Sequence, residues 1–203
     1  GDDKLDLTAA QASELVSMIG VNSQQAEILI SFAQSGATDM TDYIAQTMAQ
    51  MVARVRQNQQ QAGGAVLPAN FQVAELTRPQ LAALYDSCTL GNAKAVKPGK
   101  LNINTADVGV FEYMSTVTSA LADEIVAFRD SAGGEVASIV ELLDIAGMSR
   151  TQLAALAKLM DVRSNVFIAT CKGRDDISGI EIEIVAEIDR STLPITYRSI
   201  EVR

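Results

Sequence analysis

The amino-acid sequence predicts an α+β fold in which two related helical modules precede a three-stranded antiparallel sheet. One observation is an internal repeat, because residues 4–32 align without a gap with residues 100–128 at an offset of 96 residues. Residues 80–84 align with residues 152–156 at an offset of 72, so the first copy contains 24 additional residues. The other observation is that the hydrophobic period changes from that of a helix to that of a strand after Asp161. A repeated small helical unit is more typical of recognition and assembly than of catalysis.

The first module, residues 1–90, is predicted to be a helical hairpin with an insertion. A first amphipathic helix leads to Asn22, which caps a second helix that ends at Gly36. The insertion covers residues 37–64, and its apolar spacing predicts one helix over residues 39–56. A glutamine-rich tract follows and is interpreted as a solvated helix end.

The second module, residues 100–161, is predicted to repeat this plan after a linker over residues 91–99. Thr105 begins one helix of this module and Ser119 begins another. A closing helix is predicted over residues 151–159 because its leucines and alanines recur at helical spacing.

The C-terminal segment, residues 162–203, is predicted to form an antiparallel meander. Isoleucines alternate with acidic residues over residues 180–188, which indicates a strand with one apolar and one charged face. Shorter β-rich segments at residues 166–169 and 195–202 supply the other two strands. A three-stranded sheet needs a partner to cover its apolar face, and the sequence does not reveal a helix for that role.

The composition of the chain argues against several classes of function. The chain has 203 residues, of which 48% are hydrophobic and 20% charged, so it is long and apolar enough to bury a core. A formal net charge of -9 disfavours binding to a phosphate backbone or to anionic lipid. The absence of histidine excludes nucleophile–histidine pairs and histidine-containing zinc sites. We therefore expect a protein that is not an enzyme and that requires no cofactor.

Two cysteines, Cys88 and Cys171, lie far apart in the sequence and show no metal-ligand spacing. They are interpreted either as two buried thiols or as one disulfide that joins the helical part to the sheet in an oxidising compartment.

Asp175 and Asp176 are the candidate calcium ligands. They lie in a loop between Gly173 and Gly179, where carboxylate and carbonyl oxygens can converge on a cation. The loop lacks the fixed ligand spacing of a twelve-residue calcium loop, so a solvated turn is the favoured interpretation.

Residues 101–106, Leu-Asn-Ile-Asn-Thr-Ala, resemble the opening of helix-hairpin-helix (SAM-like) modules. DNA-binding members of that family carry glycines in the hairpin, whose exposed amides hold a phosphate. The first copy has only Gly20 at this position, and the second copy has none over residues 115–118. This departure argues against DNA binding through these hairpins.

The order of the parts resembles the K-type minor pseudopilin of type II secretion systems, the general secretion pathway protein K family. That family combines duplicated modules of the helix-hairpin-helix type with a pilin-like sheet. The segments that carry the resemblance are residues 71–76, 80–84, 100–106, 139–143, 162–167 and 197–201.

The resemblance implies a protein secretion role in which the chain caps the tip of the pseudopilus and binds other minor pseudopilins. It also implies an N-terminal prepilin signal and membrane-spanning helix beyond this chain, which would place these residues on the periplasmic face of the inner membrane. Candidate contact surfaces are the sheet edge at residues 195–202 and the helix at residues 39–56. The alternative is a helix-hairpin-helix DNA-binding protein of the DNA-uptake or competence type.

Overall fold

The computed structural model describes residues 4–63, 65–91, 100–131, 135–189 and 195–203. It contains helices followed by a C-terminal three-stranded antiparallel sheet, which confirms the predicted α+β fold class. Nearly the whole predicted linker, residues 92–99, lies outside the described residues.

The first module consists of two very short strands and five helices within the described residues. Its second helix begins after Asn22, whose side chain accepts a hydrogen bond from the Gln25 amide at 2.8 Å, so the predicted cap is confirmed. The first helix begins at Ala12. The elements are β1 (Leu5–Asp6), α1 (Ala12–Ile19), α2 (Ser23–Gln34), α3 (Thr41–Ala45), α4 (Met48–Gln61), α5 (Arg78–Ser87) and β2 (Cys88–Thr89).

The second module has the same order of parts without the inserted helix. Its second α-helix begins at Ser119 as predicted, and its closing helix begins one residue before the predicted start. The elements are β3 (Leu101–Asn102), α6 (Val108–Glu112), α7 (Ser119–Ser131), a 3-10 helix (Ile139–Asp144), α8 (Arg150–Leu159) and β4 (Met160–Asp161).

The repeat seen in the sequence is also a repeat of structure. In the first module β1 pairs in parallel with β2, with Leu5 opposite Cys88. In the second module β3 pairs in parallel with β4, with Leu101 opposite Met160. Each module is therefore closed by a short parallel pair that joins its first and last segments.

The prediction of one helix over residues 39–56 is wrong, because two helices occupy this region. Gln46 has an extended backbone, with φ of −107° and ψ of 146°, and ends α3. Thr47 then begins α4, since its hydroxyl accepts from the Gln50 amide at 3.2 Å and its own amide donates to the Gln50 side chain at 2.8 Å. This capping box competes with a continuous helix and breaks it.

The two modules share one hydrophobic core. Helix α3 of the first module packs on α8 of the second, and α5 packs on the 3-10 helix. Within the first module, the Phe32 and Tyr43 rings meet edge to face at 5.0 Å, and the Tyr43 hydroxyl donates to the Leu29 carbonyl at 3.0 Å. The largest fully buried side chains are Tyr43, Phe32, Phe111, Leu7, Leu15, Leu29, Ile44, Met48, Met51, Leu81, Leu84 and Ile103.

The C-terminal sheet has the strand order β5 (Val166–Arg174), β6 (Glu181–Asp189) and β7 (Thr196–Val202). Both strand pairs are antiparallel, as the meander prediction requires. The first strand is longer than predicted, because its pairing with β6 continues through Arg174 opposite Glu181.

Candidate functional site

The second module presents two hairpin turns beside each other. The first, residues 115–118, precedes α7, and the second, residues 145–149, precedes α8. Thr118, Leu121 and Glu124 line a shallow depression together with residues of the second turn. The sequence analysis compared only the first turn with the glycine-containing hairpins that bind phosphate.

Gly147 occupies the centre of that second turn. Its φ of +86° lies in the left-handed region, it is exposed, and no atom lies within 4 Å of the position that a Cβ would occupy. Ser149 then caps α8 by accepting from the Gln152 amide at 3.2 Å. A glycine just before a capping box is the sequence signal of this hairpin.

The charges around these turns are mostly negative. Residues 100–161 contain nine acidic and four basic side chains, a net charge of −5. One acidic side chain, Glu124, lines the depression between the turns. This field opposes the approach of a phosphate backbone.

A pair of equivalent arginines joins the two modules. Arg78 begins α5 and Arg150 begins α8, and they are separated by the repeat offset of 72 residues. Arg150 donates to the carbonyls of Ile44 and Gln46 at 3.3 and 3.0 Å, at the carbonyl end of α3. Arg78 donates to the Leu143 carbonyl at 3.2 Å, at the carbonyl end of the 3-10 helix. We call this reciprocal arrangement the arginine clasp.

Acidic side chains support the arginine clasp on both sides. Glu75 lies 3.9 Å from Arg150 and also accepts from the Met48 amide at 3.2 Å. Asp144 lies 3.4 Å from Arg78. Because each arginine binds the carbonyl end of the other module's short helix, the clasp complements both helix dipoles. It fixes the modules to each other through groups that no sequence motif identified.

The C-terminal sheet has one continuous apolar face. Paired residues of neighbouring strands share a face, and the register places Phe167 opposite Ile188 and Ile184 opposite both Cys171 and Val202. We call this surface the apolar face, and its residues are Phe167, Ala169, Cys171, Ile182, Ile184, Ala186, Ile188, Tyr197, Ile200 and Val202.

The apolar face is accessible to solvent. Ile200 and Val202 are 60% and 68% exposed, and Ile184 at the centre is 42% exposed. No side chain from the sheet is among the partly buried hydrophobic residues that pack on the helical core within the described part of the chain. An apolar surface of this extent on a soluble domain usually marks an interaction site.

The opposite face of the sheet contains most of the sheet's charged side chains, which form ion pairs across the strands. Lys172 lies 3.2 Å from Glu183, and Arg174 lies 3.5 Å from Glu181. Arg198 contacts the Asp189 carboxylate at 2.7 Å. The two faces therefore have the alternation that the sequence predicted.

The calcium candidates lie in the turn between β5 and β6. The Asp175 carboxylate accepts from the Ser178 hydroxyl and from the amides of Ser178 and Ile177, which lowers its pKa. Asp176 is exposed beside it. No group of three or more carboxylate or cysteine side chains that could hold a metal occurs among the described residues. The hydrogen bonds match those of a turn stabilised by an aspartate, and a calcium site here stays a prediction.

The two cysteines lie in different environments. Cys88 is buried beneath the first module, and burial raises the pKa of its thiol to about 11. Cys171 is exposed on β5. Both are free thiols in this structure, so the disulfide that the sequence suggested is absent from it.

The two predicted contact surfaces differ in what they expose. In α4 the apolar stripe of Met48, Met51, Val52 and Val55 is buried in the chain's own core. That stripe is therefore not a partner-binding surface. Strand β7, by contrast, is exposed along its whole length.

Comparison with known proteins identifies one part of the chain. The family model of the helix-hairpin-helix motif matches residues 96–160, about a third of the sequence. The second module therefore contains this motif. No curated protein and no solved structure matches the chain significantly. In the part of the chain that the structure describes, no helix is long and apolar enough to cross a membrane.

Proposed function

We propose that this chain is the periplasmic part of a K-type minor pseudopilin, a non-enzymatic assembly component at the tip of the type II secretion pseudopilus. Its partners are other minor pseudopilins, and an N-terminal apolar helix anchors it at the periplasmic face of the inner membrane. Binding, rather than chemistry, is its mechanism.

The apolar face of the sheet is the observation that carries the proposal. Three strands spaced about 4.8 Å apart give a surface roughly 14 Å wide, and a helix with its side chains is about 10–12 Å in diameter. The face therefore fits one apolar helix lying along it. A helix in this position would remove Ile184, Ile200 and Val202 from water, as a pilin-like domain requires.

The clasped helical modules support the same role. They share a core and are joined by the arginine clasp, so they form a bulky unit beside a narrow sheet. Such a unit is too wide to fit within a packed filament of helices. This size supports a position at the filament tip.

A pull-down tests the proposal directly. The purified chain is exposed to the other minor pseudopilins of the same source, and stable capture is expected. Ile200→Lys, on the predicted contact strand β7, should abolish capture because it places a charge on the apolar side of that contact. Ser199→Lys is the matched control, since it alters the neighbouring residue of the same strand on the opposite face.

DNA binding is the second candidate, favoured by the helix-hairpin-helix match and by the exposed left-handed Gly147 beside a helix N-terminus. The negative charge of the second module opposes it. Labelled duplex DNA serves as a parallel bait in the same experiment.

The two outcomes are distinct. DNA binding that weakens steeply with salt and is lost in Gly147→Val, without pseudopilin capture, would replace the assembly role by a nucleic-acid role. Pseudopilin capture that Ile200→Lys removes and Gly147→Val leaves intact would support the proposal.

A further inference from the structure

Strand β5 is an open edge of the sheet among the described residues. At the hairpin end the Asp175 amide donates to the Ile180 carbonyl at 2.9 Å, so this pair is hydrogen bonded. Hydrogen-bonded and non-hydrogen-bonded pairs alternate along an antiparallel ladder. Counting back from Asp175, the amides and carbonyls of Ile168, Thr170 and Lys172 face away from β6.

Strand β7 is the other edge of the sheet, and its pairing with β6 is irregular, whereas the pairing of β5 with β6 is regular. The register of β7 shifts beside Ile188, and Arg198 at this bulge pairs with Asp189 and Glu187. Bulges and charged side chains protect an edge from further pairing. Strand β5 pairs regularly over nine residues, and residues 166–171 contain neither a charge nor a proline.

Two cations mark the far end of this open edge. The side chains of Lys172 and Arg174 are 75% and 66% exposed although each pairs with a glutamate of β6. Because they stand on an edge strand, they can pair with a second carboxylate on their outer side. The opposite face of the same strand contributes apolar residues, including Phe167 and Ala169.

We infer that β5 binds an additional strand from a partner protein, and that this strand alternates apolar with acidic residues. Its apolar side chains extend the apolar face, and its carboxylates lie beside Lys172 and Arg174. Strand β6 has this alternation and already pairs with the inner side of β5. A second copy of β5 is a poorer occupant, because it brings cations but no carboxylate to this edge.

Hydrogen exchange with the full chain tests the inference. The probe is a synthetic peptide with the sequence of β6, and the matched peptide carries lysine in place of its three glutamates. The acidic peptide should protect the amides of Ile168, Thr170 and Lys172. The amides of Ile200 and Val202, on the other edge, should exchange as before.

A charge reversal makes the test specific. Lys172→Glu should weaken binding of the acidic peptide about fivefold and strengthen binding of the lysine peptide, because cross-strand ion pairs contribute up to about 1 kcal/mol. Ser199→Lys, on β7, should change neither.

Three results would overturn the inference. The first is equal binding of both peptides, and the second is protection of amides on β7 instead of β5. The third is protection of the β5 amides that increases with protein concentration when no peptide is present. The last result would identify a second copy as the occupant. Peptide pairing and pseudopilin capture are separate readouts, so the failure of one leaves the other interpretable.

Discussion

Individual side chains decide several properties of this molecule through their immediate surroundings. Burial in apolar surroundings disfavours the thiolate of Cys88, whereas Cys171 stands in solvent on a strand. The Asp175 carboxylate is held by three donors of its own turn. Thr47 uses both its hydroxyl and its amide to separate two helices.

The cysteines are expected to differ in reactivity. In the native chain under non-reducing conditions, one thiol should react quickly with an alkylating reagent, and peptide mapping should identify it as Cys171. Cys88 should react only after denaturation, because it is buried and its thiol pKa is about 11. If neither thiol reacts until a reductant is added, the two are joined in the disulfide that the sequence suggested.

Thr47 is expected to determine the break between α3 and α4. Thr47→Ala removes the side-chain cap and should lower the free energy of unfolding by about 1 kcal/mol in urea denaturation. Thr47→Ser retains the hydroxyl and should restore most of that loss. Equal stability of the alanine variant and the parent would show that the cap contributes nothing.

At the scale of elements, the packing of short helices across the module boundary organises the fold. Helices α3 and α8 touch along the shared core, and the 3-10 helix touches α5. The arginine clasp joins the two modules at the carbonyl ends of α3 and the 3-10 helix. Tyr85 adds a further link by donating to the Ala157 carbonyl at 3.3 Å.

Removal of the clasp should loosen the modules. Arg150→Ala leaves the Ile44 and Gln46 carbonyls without their charged donor, so the free energy of unfolding should fall by about 1.5–3 kcal/mol. Arg174→Ala, on the exposed face of the sheet, is the control and should change it by no more than about 0.5 kcal/mol. Chemical denaturation measures both variants, and matching results would mean that the clasp does not stabilise the fold.

The whole molecule divides into a helical part that contains the hydrophobic core and a sheet that lies outside this core. Every buried apolar side chain of the described residues lies at or before Val162. The sheet is held mainly by its own ladders and by short-range ion pairs. Its apolar face therefore adds nothing to the buried hydrophobic core of the described residues.

Deletion of residues 165–203 tests this division. The remaining helical part should still unfold cooperatively, with a midpoint within about 3 °C of the full chain, because its core is untouched. Fluorescence of a hydrophobic dye such as ANS should be strong with the full chain and fall after the deletion. Loss of cooperative unfolding in the shortened chain would show that the sheet supports the helical core.

Much of the fold follows from local sequence. The Asn22 cap, the start of α7 at Ser119 and the alternation in β6 all depend on residues within one or two turns of each other. Such short-range patterns specify helices, caps and strand faces directly. They predicted the α+β class and the antiparallel meander.

The apolar spacing over residues 39–56 did not reveal the break at Thr47, because apolar side chains recur at helical spacing on both sides of it. The break comes from the capping box at Thr47, which acts on the backbone. The turn around Gly147, by contrast, contains a glycine and a capping residue, which are both local signals.

By itself, the sequence determined the α+β class and the two-faced strand, because both depend on periodicity and capping within a few residues. It also revealed the duplicated modules, because two segments 96 residues apart align without a gap. Only the tertiary structure decided that Arg78 and Arg150 clasp opposite modules, that the α4 stripe is core, and that Ile200 and Val202 of the apolar face are exposed to solvent within the described residues. These contacts join residues that are far apart in sequence. Their partners depend on how complete elements pack, which no local pattern encodes.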